Sequence, residues 1–291
     1  MNITLDQNNP GLKQGDNISG YFIKKVAKLE EINSYFYELE HTLTGARHIH
    51  ISKNDEENTF GVAFKTVPVD STGVAHILEH TVLAGSNRFP VRDPFFSMLK
   101  RSLSTFMNAF TASDWTMYPF STQNRKDFCN LMDVYLDAAF FPKIDELSFK
   151  QEGHRLEIEN DLKDVGSTRL VYKGVVYNEM KGAMSSPDQV LIRFLLKALY
   201  PDTTYSHNSG GDPAAIPSLT YDQLKAFHTR HYHPSNSFFY TYGNMPLKEH
   251  INFIQEKILK KFQRIDPKTK VLSQPRWNKP RKIINQYQLG V

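Results

Sequence analysis

The sequence predicts an α+β domain in which an antiparallel-dominated sheet carries its helices mainly on one face. Two observations predict this class. The first third of the 291-residue chain contains short runs of β-branched and aromatic residues that are separated by polar turns. The later part contains longer amphipathic runs at helical spacing. Strands joined by short turns pair antiparallel, and the helices bury their apolar stripes against the sheet.

Four strands are predicted before residue 70, with polar turns between them. In the segment 47–51 polar and apolar side chains alternate strictly, which is typical of a strand with one face on the core. We interpret His48 and His50 as the polar face of that strand rather than as metal ligands. The predicted strands cover residues 21–23, 34–41, 47–51 and 59–67.

Helices dominate the rest of the chain, together with a few further strands. Proline after residue 141 ends one predicted helix, and a capping box from Thr220 to Gln223 begins another. Residues 104–112 are expected to be extended, with residues 115–121 as their partner strand. We expect helices at 95–103, 126–141, 187–199, 220–231 and 246–262, helix or loop at 146–165, and a strand at 237–242.

Residues 1–265 are predicted to form one domain, followed by a connector at residues 266–291. A chain of this length can bury a substantial core. From Asp266 onward prolines and lysines replace the apolar periodicity, so the segment has no core of its own. Neither zinc-finger spacing nor an RNA-binding aromatic signature accompanies its basic residues. We therefore expect a solvated surface there and no nucleic-acid partner.

Composition excludes several further classes of protein. The single cysteine, Cys129, rules out a disulfide within the chain, and its place in a predicted helix suggests a buried, unreactive thiol. No run of about 18 apolar residues predicts a membrane span. The first residues have neither signal-peptide nor transit-peptide character. We expect a cytoplasmic protein without a membrane partner, or an organellar one if a leader was removed.

The strongest chemical signal is the pentapeptide His76-Ile77-Leu78-Glu79-His80. Two histidines four residues apart lie one above the other on a helix, so both imidazoles can reach one metal ion. His-x-x-Glu-His is the inverted zincin motif, in which the histidines bind zinc and the glutamate handles the proton of a water molecule. Asp70 or Ser71 is a candidate N-cap for this helix, and Gly85 is a candidate for its C′ residue.

A catalytic zinc takes three protein ligands and keeps one position for water, so a third ligand must come from elsewhere. Glu179 is the best candidate, because it lies beside an apolar strand and at the start of a predicted helix. Glu152, Glu157 and Glu159 are rivals that this reasoning leaves open. With zinc in place, Glu79 would act as general base and pass the proton of the water to a leaving amine.

A second histidine cluster consists of His228, His231 and His233. The first two can share a helix face, but His233 precedes Pro234, and helices usually end before a proline. No acidic residue at helical spacing completes a metal site there. We interpret the cluster as a helix C-terminus at which histidines interact favourably with the helix dipole.

Longer stretches around the pentapeptide closely resemble the presequence-protease branch of the pitrilysin/insulysin metallopeptidases. The resemblance covers roughly residues 15 to 285, and its motifs are specific enough to make a chance match negligible. The matching stretches are 70–73, 76–86, 89–96, 103–114, 118–124, 174–182, 209–213 and 231–236.

The resemblance implies a pitrilysin/insulysin-type fold and one bound Zn²⁺ per chain. It selects Glu179 over the rival carboxylates, which spacing alone does not. It also implies that an extended segment pairs with the backbone of a peptide substrate, which fixes the scissile bond without demanding a sequence. The implied roles are zinc ligation by His76, His80 and Glu179, catalysis by Glu79, and substrate binding by Asn108, Ala109 and Phe110.

Members of this family are long chains whose two halves close around a chamber, and the sequence resembles their first domain. The resemblance therefore implies a metalloendopeptidase domain that hydrolyses short unstructured peptides, such as targeting peptides. Its implied partners are the peptide substrate and the missing C-terminal half of the same polypeptide. The alternative is a module that binds zinc and peptides, or takes part in assembly, without catalysis.

Overall fold

The computed structural model describes residues 6–160, 168–284 and 286. These residues contain eleven β-strands. The strands are β1 (Asn17–Ile18), β2 (Tyr21–Leu29), β3 (Ser34–His41), β4 (Arg47–Ser52), β5 (Asn58–Phe64), β6 (Ser104–Met107), β7 (Phe110–Thr111), β8 (Thr116–Thr122), β9 (Arg155–Asn160), β10 (Thr168–Lys173) and β11 (Ser237–Gly243).

Eight α-helices lie in the same described ranges, with a few single turns of 3₁₀-helix between them. The α-helices are α1 (Val74–Val82), α2 (Pro94–Leu99), α3 (Arg125–Phe140), α4 (Glu146–Glu152), α5 (Val175–Ala183), α6 (Pro187–Leu199), α7 (Tyr221–His231) and α8 (Leu247–Lys257).

Nine of the described strands form one sheet. Eight of them follow the order β1-β2-β3-β4-β11-β5-β8-β6, and β7 also pairs with β8. All pairs in this sheet are antiparallel except that of β11 with β4, which is parallel. This mixed α/β fold with an antiparallel-dominated sheet confirms the predicted fold class.

The core forms where alternate side chains of the central strands meet helix α3. Phe60, Val62 and Phe64 are fully buried, as expected for the inward positions of β5. The ring of Phe120 in β8 meets the rings of Phe128 and Tyr135 edge-on, each at a centroid distance of 5.2 Å. Burial of such aromatic side chains is the main stabilising contribution to the sheet–helix interface.

The interpretation of His48 and His50 as a polar, outward face of β4 is wrong. Both side chains are fully buried, and the hydroxyl of Thr241 on β11 lies 2.8 Å from His48 Nε2 and 2.8 Å from His50 Nδ1. One hydroxyl on the neighbouring strand therefore pairs with one nitrogen of each imidazole. Because this pairing joins residues nearly 200 positions apart, local alternation did not reveal which face is inside.

Three local predictions also need correction. The acidic stretch expected as helix or loop contains helix α4 and then strand β9, and its residues 161–165 lie outside the described ranges. The N-cap of helix α1 is Gly73, in the left-handed region with φ of 72°, and not Asp70 or Ser71. Its C-cap is Leu83, so Gly85 is not the C′ residue. Asp70 instead accepts hydrogen bonds from the amide and hydroxyl of Thr72.

Strands β9 and β10 pair with each other and form a separate two-stranded ribbon. The charged side chains of the ribbon form ion pairs, for example Glu159 with Lys173 at 2.8 Å. Most of the large apolar side chains of the ribbon are exposed, and so are most of those of helix α6. The exposed apolar residues are Leu156, Ile158, Leu170 and Tyr172 on the ribbon, and Leu191, Ile192, Phe194, Leu195 and Leu199 on α6.

Residues 266–284 and 286 contain no helix or strand. The segment nevertheless touches the domain, because Thr269 is buried and its hydroxyl donates a hydrogen bond of 2.7 Å to Asn236. Within the described residues, we find no helix that is long and apolar enough to cross a membrane.

Candidate metal centre

Helix α1 begins where two loops touch backbone to backbone. A Cβ atom at Gly73 would lie 2.8 Å from the Cα of Gly211 and 2.9 Å from the carbonyl oxygen of Gly210. Only glycine fits this approach, and glycine also adopts the left-handed conformation of Gly73 without strain. The contact brings residues 209–211 against the first turn of the helix that carries both histidines.

His76 is held by the carbonyl of Gly210, which lies 3.0 Å from its Nδ1. A carbonyl oxygen only accepts hydrogen bonds, so Nδ1 carries the proton. In the neutral ring, Nε2 therefore presents its lone pair, which is the state that a metal ligand needs. The predicted loop at 209–213 thus has a function that its sequence did not reveal: it sets the tautomer of His76.

His80 is held in the same way by a carboxylate. Its Nδ1 lies 3.0 Å from Glu152 Oε2, and the side chain of Glu152 is only 13% exposed. Burial alone would lower the pKa of His80, but the bond to Glu152 and the charges of Glu79, Glu152 and Glu179 outweigh burial and raise it. Burial would likewise raise the pKa of Glu152, whereas the hydrogen bonds from His80 and Gln151 lower it.

Glu179 on helix α5 reaches the same point. Its Oε2 lies 3.7 Å from His76 Nε2 and 4.0 Å from His80 Nε2, and its side chain is 54% exposed. The ligand atoms of these three residues all lie within 4.8 Å of one another. Two imidazoles and one carboxylate are a donor set typical of catalytic zinc, and their spacing suits a common ion. The residues therefore fit the metal that the motif predicts.

The rival carboxylates are engaged elsewhere. Glu157 forms an ion pair of 2.6 Å with Arg155, and Glu159 pairs with Arg169 and Lys173. Glu152 is hydrogen-bonded to Nδ1 of His80, whereas the candidate metal ligand atom is Nε2. In the described part of the chain, Glu179 is the carboxylate that converges with both histidines. Its position therefore supports the assignment as third ligand that the family resemblance implied.

Glu79 lies on α1 between the two histidines and is 8% exposed. Nearby, the hydroxyls of Tyr118 and Tyr232 are hydrogen-bonded to each other at 2.7 Å. Burial is the main cause of the raised pKa of both tyrosines, and the charge of Glu79 adds to it. The candidate metal site thus has a nearly buried carboxylate beside it, near two uncharged phenols.

The segment predicted to bind substrate lies at the edge of the sheet. It is not one continuous strand, because Asn108 and Ala109 separate β6 from β7, although both strands pair with β8. The amide of Asn108 donates to the carbonyl of Pro119 at 3.2 Å, which keeps the segment in line with the sheet. Phe106 and Phe110 are about 40% exposed, and their rings stack at 6.3 Å.

The dipole interpretation of the second histidine cluster needs correction. Burial lowers the pKa of both His228 and His231 to about 4, so neither carries a charge near pH 7. Each is held by a hydrogen bond to a backbone carbonyl, from His228 Nε2 to Ala139 and from His231 Nδ1 to Phe227. Cys129 is half-buried on α3, and burial raises the pKa of its thiol.

Sequence reasoning missed Gly210 as the partner of His76, and it considered Glu152 only as a rival ligand.

Replacing Glu152 by Gln removes the negative charge beside His80 but keeps the shape of the side chain. Loss of such an orienting carboxylate typically costs about 10- to 100-fold in metal affinity. We expect a decrease of that size in Zn²⁺ affinity, measured by competition with a chelating dye. Glu157→Gln is the matched control, and equal affinities in the two variants would contradict this function of Glu152.

Two family models match the chain. Residues 67–173 match the insulinase model of peptidase family M16, and residues 218–288 match the model of the M16 inactive domain. The first match contains the pentapeptide, and together the two cover more than half of the 291 residues. The chain belongs to peptidase family M16.

Several curated M16 relatives are similar over most of the chain. The mitochondrial presequence protease of Xenopus tropicalis is 57% identical over 267 residues, which are 92% of this chain and 26% of that protein. The mouse protein of the same name is 55% identical over 93% of this chain and 26% of its own length. The chain therefore spans about a quarter of the length of the curated relatives that it matches.

Two solved structures share the fold. Pitrilysin aligns with a TM-score of 0.63 at 19% sequence identity, over 81% of this chain and 24% of that chain. A protease from Helicobacter pylori aligns with a TM-score of 0.60 at 18% identity, over 80% of this chain and 51% of that chain. Both alignments are consistent with the pitrilysin-type fold that the sequence implied.

Proposed function

We propose that this chain is the zinc-binding catalytic domain of an endopeptidase that hydrolyses short unstructured peptides, such as targeting peptides. The observation that carries the proposal is the convergence of His76 Nε2, His80 Nε2 and Glu179 beside the buried Glu79. The M16 membership of the chain and the name of its relatives, presequence protease, support the same function.

The proposed mechanism assigns one task to each of these residues. His76, His80 and Glu179 would hold the zinc, which when bound supplies a Lewis acid that acidifies water and polarises a carbonyl group. Glu79 takes a proton from the attacking water molecule and delivers it to the leaving amine. Gly210 and Glu152 keep both imidazoles in the tautomer with Nε2 free.

Substrate binding is proposed at the outer edge formed by β6 and β7. Main-chain pairing along Asn108, Ala109 and Phe110 would align an extended peptide without reading its sequence. Among the described strands, this segment lies at one end of the sheet, so its outer edge is available there for such pairing. Extended segments of folded proteins are mostly paired within their own sheets, so the edge favours unstructured peptides.

We further propose that the domain, residues 1–265, acts within a longer polypeptide that residues 266–291 join to it. The share of the relatives that the chain covers, about a quarter, supports this. The large apolar residues exposed on helix α6 and on the β9–β10 ribbon also support it, since large exposed apolar patches commonly mark contact surfaces. Because the relatives are named mitochondrial proteins, we propose an organellar location in place of the expected cytoplasmic one.

The test is cleavage of a quenched fluorescent peptide by this chain, alone and together with the remaining portion of a longer relative. We expect cleavage that a chelator abolishes and added Zn²⁺ restores. Cleavage that resists the chelator would overturn the zinc mechanism. Metal-dependent peptide binding without cleavage in either form would instead favour the non-catalytic module.

A further inference from the structure

The two carboxylates at the candidate metal centre lie on opposite sides of the β9–β10 ribbon in the chain. Glu152, the partner of His80, is the last residue of α4, and Glu179 lies in α5. The β9–β10 ribbon lies between these helices in the chain. The path along the backbone from one carboxylate to the other therefore runs out along the ribbon and back, and it cannot fix their separation closely.

The base of the ribbon provides a much shorter connection. Gly153 follows Glu152 directly, and Gly174 directly precedes helix α5. A Cβ atom at Gly174 would lie only 2.0 Å from the carbonyl oxygen of Gly153 and 2.7 Å from its carbonyl carbon. The backbones that enter and leave the ribbon thus touch at a point where no side chain fits.

Gly153 is in turn seated against the helix that carries both histidines. A Cβ atom at Gly153 would lie 3.2 Å from Cγ2 of Ile77, the residue that follows His76. The amide of Gly153 also donates to the carbonyl of Phe149 at 2.8 Å, which ends α4. Helix α1, Gly153 and Gly174 therefore form a continuous stack that leads to the first turn of α5.

We propose that the contact between Gly153 and Gly174 positions Glu179, and so sets the distance between this ligand and the two histidines. The inference rests on the proposed zinc site and names residues that neither touch the metal nor belong to the pentapeptide at 76–80. A side chain at Gly174 forces the two backbones apart by about 1 Å, since real Cβ contacts shorter than 3.0 Å essentially never occur. Metal sites tolerate ligand displacements of only about 0.2 Å.

The experiment measures Zn²⁺ affinity of the purified 291-residue chain by competition with a chelating dye. Gly174→Ala should weaken binding by about 10- to 100-fold, as expected when the support of a ligand is disturbed. Gly182→Ala is the matched control, because Gly182 lies in the same helix and a Cβ atom there would meet nothing within 4 Å. It should bind Zn²⁺ as the unmodified chain does.

A double-mutant cycle separates positioning from general damage. If Gly174 acts through Glu179, then Gly174→Ala should cost little further affinity once Glu179→Ala has removed the ligand. Additive losses in the double variant would overturn the inference. Far-UV circular dichroism and urea unfolding of each variant establish that the fold is retained.

Gly153→Ala tests the same stack if Gly174→Ala does not fold. Its Cβ atom would lie 2.9 Å from the carbonyl oxygen of Phe149, a smaller overlap, so we expect a smaller loss of affinity in the same direction. Unchanged Zn²⁺ affinity in folded Gly174→Ala and Gly153→Ala would overturn this inference but not the proposed function. Absence of Zn²⁺ binding by the unmodified chain would overturn the proposed function, and this inference with it.

Discussion

Replacing Glu79 by Gln is expected to lower the rate of zinc-dependent peptide cleavage by about 100- to 10,000-fold, the usual contribution of a general base. Glutamine has nearly the same shape but cannot take a proton from water near pH 7. Zn²⁺ affinity should stay close to that of the unmodified chain, because Glu79 is not one of the three converging donors. The two measurements together assign Glu79 to proton transfer.

His76→Ala is the contrasting variant, since it removes a ligand instead of the base. It should lose both Zn²⁺ affinity and cleavage. The rates are measured with the quenched peptide, in whichever form of the protein cleaves it, and affinity is measured with the chelating dye. Cleavage by Glu79→Gln at the unmodified rate would show that another group accepts the proton.

Acidification should unfold the metal-free chain well above the pH at which carboxylates titrate. Five histidines that are buried or half-buried have a strongly lowered pKa, and burial is the main cause in each. The pKa is about 3 for His48, well below the usual value for His50, and about 4 for His228, His231 and His250.

The sign follows from proton linkage. Below pH 6.5 the unfolded chain binds protons on these histidines, while the folded chain does not until about pH 4 or below. Their contribution to stability is therefore complete above pH 6.5 and is lost as the pH falls. At pH 5.5 each group costs about 1.4 kcal/mol, or about 7 kcal/mol for five, which is comparable with the whole stability of a typical domain. His80 acts in the opposite direction, because its pKa is raised, but it is one group against five.

The measurement is urea unfolding of the chelator-treated chain, followed by circular dichroism between pH 7.5 and pH 5. We expect the free energy of unfolding to fall steadily over that range. His250→Phe should reduce the pH dependence by about one proton, because the ring of His250 packs among His50 and Phe128 and a phenyl ring fills similar space. A free energy that stays level from pH 7.5 to pH 5 would contradict the buried, neutral state of these histidines.

Patterns in the sequence correctly predicted features that lie within a single helix or strand. The spacing of His76 and His80 predicted a helix, and α1 is that helix. The capping box of Thr220 and Gln223 is present at the start of α7. Strict alternation correctly predicted β4 as a strand, but it did not predict which face is buried. That depends on Thr241 and His250, which tertiary packing brings to the same face.

The sequence by itself determined the local part of the candidate metal site: two imidazoles four residues apart with a carboxylate beside them, because 3.6 residues per turn is a local property of the backbone. Only the tertiary structure decided which distant groups complete that chemistry. Glu179 arrives 99 residues after His80, and Gly210 arrives 134 residues after His76. Such distances in the chain are closed by packing, here by the glycine contacts at Gly73 and Gly174, which no local spacing specifies.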